Sequence, residues 1–194
     1  WQRLNQLRRD PDQVKREMIK ARMHLDFVTG LYREQVEMGR IFLHEHPRHA
    51  SSWMEDCVRE LMHVPGVGRV DADQCQYGAE VMYGTYKGEP ILKPTGFMSN
   101  GPEILRILSK RCGGHGGQCS RRRGGHHALC SGKVASDAAR YPDGLVKAII
   151  QGIQAELRQR GFMKTGEVGL HAMDDENELE KNIKGPAQGY SGKF

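Results

Sequence analysis

The 194-residue sequence has no acidic residue between Glu103 and Asp137, and aromatic side chains make up only 7% of it. No apolar run is long enough to span a bilayer, which takes about 20 consecutive apolar residues. Also missing are Gly-x-Ser-x-Gly, the phosphate-cradling Gly-x4-Gly-Lys-Ser/Thr and Gly-x-Gly-x-x-Gly. The hydrolase, P-loop and dinucleotide fingerprints are therefore excluded. The five cysteines are an odd number without the regular spacing of a secreted scaffold, which argues for reduced thiols or metal ligands over disulfides. These absences lead us to expect a soluble intracellular protein, nuclear or cytoplasmic, with no membrane partner and no complete catalytic motif. Because Trp1 stands first rather than Met, the sequence is expected to be a piece of a longer chain.

What fills the acid-free stretch is basic and metal-ligating. Seven Lys or Arg, three His and three of the five Cys fall within it, and glycines flank each polar cluster. Such a segment either binds a soft metal ion or forms a flexible basic loop. The net charge of +5 is concentrated here, which points to phosphate contacts by Lys110, Arg111, Arg121, Arg122 and Arg123 and hence to nucleic acid bound without sequence preference.

Zinc sites commonly join two short Cys/His knuckles across a longer gap. Cys112-x2-His115 supplies one knuckle, His127 (or His126) with Cys130 the other, and Cys119 is left over. The flanks lack the apolar anchors of a finger, so a metal-free basic loop is the reading taken, with zinc as the alternative. Cys57 and Cys75 read as core thiols.

Around this segment the pattern is α/β. Asp10-Pro11-Asp12-Gln13 has the signature of a capped helix start. Val14, Met18, Ala21, Leu25, Val28 and Tyr32 then form one apolar stripe, expected to pack on a sheet, with a partner-binding coiled coil as the alternative. Strands are expected at 41–43, 67–73 and 97–98. Further helices are expected near Ser52, from Pro102 and from Tyr141-Pro142-Asp143. The expectation is a single domain over 1–162, half-Rossmann-like, with a small, partly parallel sheet flanked by helices and a basic Gly/Cys/His loop at 112–133. Residues 163–194, with little periodicity, read as a flexible linker.

At the strand ends, where ligands gather in open parallel sheets, Glu45 is the candidate pocket carboxylate. His44 and His46 are expected on opposite sides of their strand and so unable to share an ion.

Several blocks together resemble a known family. They are Gly39-Arg40-Ile41-Phe42-Leu43-His44-Glu45-His46-Pro47, Ser52-Trp53, Asp73-Gln74-Cys75-x-Tyr77-Gly78, Lys93-Pro94-Thr95-Gly96-Phe97-Met98-x-Asn100, Cys112-x-Gly114-His115 and Tyr141-Pro142. In this order they resemble the segment between integrase and reverse transcriptase in copia-type retrotransposon polyproteins. The resemblance implies a non-catalytic module of a mobile element that assists nucleic-acid binding, with the neighbouring integrase or reverse transcriptase as partners. More distantly, the chain is similar to the second half of cytosine-5 DNA methyltransferase-like proteins, whose strand-end glutamate contacts the target base and maps to Glu45. The chain lacks that family's S-adenosylmethionine loop and Pro-Cys nucleophile, so the alternative is a degenerate half-domain.

Overall fold

A computed structural model of the chain describes residues 9–164. The long helix α1 (Pro11–Glu37) starts where the capping signature places it: the Asp10 carboxylate accepts from the backbone N–H groups of Asp12 and Gln13 at 3.2 and 3.3 Å. Strand β1 (Leu43–Pro47) follows, then a 3-10 turn (Ser51–Met54) and helix α2 (Asp56–Met62). Strand β2 (Gly68–Asp73) runs into a second 3-10 turn (Gln74–Tyr77), and a long loop leads to strand β3 (Pro94–Ser99). Helices α3 (Pro102–Ile107), α4 (Gly132–Asp137) and α5 (Asp143–Gln159) complete the described chain.

The sheet corrects the expected architecture. Its order is β1-β3-β2, and both ladders are antiparallel. β1 and β2 do run in the same direction, as a strand-helix-strand crossover requires, but they never pair. The loop before β3 returns the chain between them, so β3 fills the gap in the opposite sense. A half-Rossmann arrangement with parallel pairing is thereby ruled out. The linker expected over 163–194 lies, from residue 165 onward, outside the described residues.

β3 is buried on both faces, which is why the short 97–98 signal lengthens into a six-residue central strand. On one face Phe97 packs with Ala72, Tyr77, Ile104, Leu105, Leu108, Leu145 and Ala148, beneath α3 and α5. On the other, Met98 meets Leu25, Phe42, Trp53, Val58 and Leu61, beneath α1 and α2. The result is a three-layer sandwich with one helical layer on each side of the sheet. α3 and α5 approach closely at Gly152, where a Cβ would lie 2.9 Å from the Ile104 Cα. Glu156 of α5, 2% exposed, accepts from the Glu103 N–H at 3.0 Å and from Arg160 at 2.7 Å.

The expectation for His44 and His46 is also overturned. Side chains alternate along a strand with period two, so residues two apart share a face. Their rings stack in parallel, 5.6 Å apart, with the Trp53 indole edge-on to both. Among the described residues no helix is long and apolar enough to cross a membrane.

Candidate metal centre

Three separate stretches of chain converge beyond the end of β2. The first is the 3-10 turn that follows β2, which carries Cys75, a residue with no solvent exposure. The second is the segment leaving α3. It is pinned against the turn by Asp73, whose carboxylate accepts from the Cys112 N–H and from the Arg111 guanidinium, each at 2.8 Å. The Tyr77 hydroxyl reinforces this junction, donating to the Ile107 carbonyl at 3.0 Å and accepting from the Lys110 N–H at 3.1 Å.

The third stretch is a miniature hairpin within the glycine-rich segment. Gln118 and His126 form an antiparallel bridge. The Cys119 N–H donates to the Gly125 carbonyl at 2.8 Å, and the His127 N–H to the Gly117 carbonyl at 2.7 Å. Glycine is required at two places. At Gly114 a Cβ would overlap the Gln118 carbonyl oxygen, and Gly117 has a φ of 82° and lies against the His126 ring. Gly114 and Gly117 therefore serve close packing of the hairpin rather than looseness. The tip of the hairpin carries Arg121, Arg122 and Arg123, the last in the left-handed region at a φ of 59°.

Together these stretches bring Cys75, Cys112, Cys119 and His127 into one cluster, with all four ligand atoms within 4.8 Å of one another. The Cys112 and Cys119 sulfurs are 3.9 Å apart, and the Cys112 sulfur lies 3.6 Å from His127 Nε2. With Zn–S bonds of about 2.3 Å and Zn–N of about 2.05 Å, the edges of a tetrahedron are about 3.8 and 3.6 Å. These two distances match tetrahedral edges, and a soft thiolate-imidazole set suits zinc. The group is compatible with a metal site.

Polar neighbours favour ionised sulfur. Ser120 offers Cys112 its N–H at 3.4 Å and its hydroxyl at 3.5 Å, while the Gln76 amide lies 3.4 Å from the Cys75 sulfur and 3.7 Å from that of Cys119. Partial burial works against ionisation of Cys112, but the Ser120 and Gly114 hydrogen bonds outweigh it and bring the thiol down to about 6. At Cys75, burial and the adjacent sulfurs of Cys119 and Cys112 push the thiol up to about 12. Three neighbouring thiolates repel one another unless a cation joins them, so this pattern suits a site completed by a divalent ion.

Two of the four metal candidates read from sequence, Cys112 and His127, stand in the cluster. His115 and Cys130 are exposed and lie outside it. Cys119, read as spare, and Cys75, read as a core thiol, take their places. One signal for Cys119 was available: Gly117-x-Cys119 and Gly125-x-His127 flank the arginine run symmetrically, as the two arms of a hairpin do. Nothing in the spacing points to Cys75, which is 37 residues from Cys112 in the sequence.

The basic candidates divide. Arg111 is held by Asp73, with Asp71 at 3.7 Å, and Arg121 is held by Glu80 at 3.0 Å. The Lys110 ammonium sits 5.4 Å over the Tyr77 ring. Arg122 and Arg123 are exposed, and neither forms an ion pair with another described residue. Glu45 lies at the middle of β1 rather than at a strand end, and its carboxylate accepts from the Tyr141 hydroxyl at 3.0 Å. Compared with known proteins, the chain matches no family model, no curated protein and no solved structure.

Proposed function

We propose that this chain is a non-catalytic nucleic-acid-binding module in which one zinc ion, held by Cys75, Cys112, Cys119 and His127, fixes a basic hairpin. The observation that carries this reading is the convergence of four soft ligands within 4.8 Å of one another, two of them on the arms of a hairpin whose tip is the arginine run. Zinc would supply the rigidity that a glycine-rich hairpin of two short arms lacks. The ion ties the hairpin to the sheet through Cys75 and to the α3 exit through Cys112. Arg122 and Arg123 are then presented as a fixed pair. Arg121, kept in place by Glu80, shapes the tip.

The likeness to copia-type polyproteins supports the same role, because a module between an integrase and a reverse transcriptase works beside nucleic acid. No sequence readout is implied: arginines on a hairpin tip meet phosphates, and phosphate contacts position rather than specify.

The test is fluorescence anisotropy of the full chain, zinc-loaded and chelated, with single-stranded RNA and duplex DNA across a salt series. Binding should weaken with salt with a slope of about −0.7 to −0.9 per phosphate neutralised. Changing Arg122 and Arg123 to alanine should make the total slope shallower by about 1.4–1.8, and chelation should weaken binding at every salt concentration. No binding of either nucleic acid at low salt would refute the proposal, and so would binding unaffected by both the double substitution and chelation.

A further inference from the structure

Only Leu25 and Thr29 are fully buried among the 27 residues of α1. The stripe of Val14, Met18, Ala21, Leu25 and Tyr32 faces the protein. At 3.6 residues per turn, Ile19, Met23, Phe27 and Leu31 fall on the opposite side of the helix. They repeat every four residues and are 51, 66, 63 and 43% exposed. Four large apolar side chains in one ridge form a patch of a kind that marks an interaction site. Gly30 lies beside this ridge, and a Cβ there would meet nothing within 4 Å. Glycine inside a helix is unfavourable by about 0.5–1 kcal/mol against alanine. The protein's own packing does not require it, whereas close approach by a second backbone would.

The charges along α1 indicate what approaches. At the ends of the exposed ridge, on the same face, stand Arg16 and Glu34. The N-terminal half also carries Lys15, Lys20 and Arg22 against Asp12 and Glu17, and the C-terminal half Asp26 and Glu37 against Arg33, so each half keeps a net charge opposite to the other. A parallel partner would set like charges together. An antiparallel copy of the same helix, with its dyad at the level of Leu25, sets Ile19 against Leu31, Met23 against Phe27 and Arg16 against Glu34. Each contact then occurs twice, as an isologous interface demands. The existing partners of the two charges are loose surface pairs that can rearrange. Arg16 is 3.9 Å from Asp10 and Glu34 is 3.1 Å from Arg40, with every one of these side chains at least 48% exposed.

We infer that the exposed face of α1 is a homodimer interface, in which two copies of this chain pair through antiparallel α1 helices. Covering the ridge on both copies removes roughly 1,000 Å² from water, near the lower bound for a specific interface. An interface this small belongs with weak, concentration-dependent dimers.

Sedimentation equilibrium of the zinc-loaded full chain tests this, with far-UV circular dichroism confirming that each variant stays folded. The wild type should dimerise below about 100 µM. Phe27→Glu, at a position 63% exposed in the single chain, should leave a folded monomer. Arg16→Glu and Glu34→Arg should each weaken the dimer about tenfold by setting like charges together twice. Mixing those two variants should restore association as a heterodimer, because each then offers the charge that the other lacks. A wild type still monomeric at about 100 µM would overturn the proposal and leave the ridge to another segment or partner. So would a dimer indifferent to Phe27→Glu, or a mixture no tighter than its separate components.

Discussion

If zinc fills the Cys75, Cys112, Cys119 and His127 cluster, removing it should unfold the protein at a markedly lower temperature, and the ligand variants should show which side chains hold it. A ligand present at about a thousandfold over its dissociation constant stabilises the folded state by about 4 kcal/mol. A domain of this size responds by about 2–4 °C per kcal/mol, so chelation should lower Tm by about 8–16 °C. Differential scanning calorimetry of the full chain, zinc-loaded and chelated, measures this directly. Cys119→Ser should have the Tm of the chelated wild type and should no longer respond to chelator. Cys75→Ala should behave likewise, with about 1 kcal/mol further lost from the small void it leaves in the core. His115→Ala and Cys130→Ser should keep the full response.

Protons provide a second readout of the same site. At pH 7.5 Cys112, lowered to about 6, is already a thiolate, whereas Cys75, pushed up to about 12, still holds its proton. Metal binding must displace that proton, so titration calorimetry in buffers of different ionisation enthalpy should show at least one released per ion. The sign of the pH dependence follows. Because Cys75 must give up its proton, affinity already falls with pH around neutrality, and the fall steepens as Cys112 takes up a proton through pH 6. If the wild-type Tm moves by less than about 2 °C on chelation, or if His115→Ala abolishes the response while Cys119→Ser keeps it, the four-residue assignment is wrong.

Two further outcomes concern the scaffold. Glu156→Ala removes a buried carboxylate and leaves the Glu103 N–H and the Arg160 guanidinium without their acceptor. It should reduce stability by about 3 kcal/mol in urea unfolding. Burial, together with its neighbour His46, holds His44 down to about 4, so the unfolded chain takes up a proton near pH 6.5 that the folded chain refuses. Stability should therefore fall between pH 6.5 and 4, by up to about 3 kcal/mol at 1.4 kcal/mol per pH unit. His44→Leu should flatten that part of the profile when urea midpoints are compared at pH 7 and 4.5.

The parts of the fold that were legible in the sequence are those governed by neighbours along the chain. Asp10 and Pro11 start α1 because a cap acts within three residues, and α5 opens at Pro142, which cannot continue a helix backward, with Asp143 in its first turn. Strand pairing is not local. Short apolar runs separated by helices read as parallel strands, but the order β1-β3-β2 depends on where the loop over 78–93 folds back. Composition leaves that undetermined. The second apolar ridge of α1 was in the sequence too, at 19, 23, 27 and 31. Only the packing of Leu25 inward shows that the helix has two apolar sides and that one of them remains open.

The candidate metal centre divides along the same line. Cys119 and His127 belong to one hairpin, and a reading by arms rather than by knuckles finds them together. Cys75 and Cys112 meet only because Asp73 and Tyr77, which flank Cys75, bind the backbone of 107–112. Those two residues touch no ligand atom of the cluster; their effect is to set the distance between two that do. A search for ligand spacing alone therefore selects the nearer His115 and Cys130, which no such contact draws inward. The Asp73-x-Cys75-x-Tyr77 block would then be kept together by the centre it positions, so replacing Asp73 with alanine should loosen metal binding although Asp73 is no ligand.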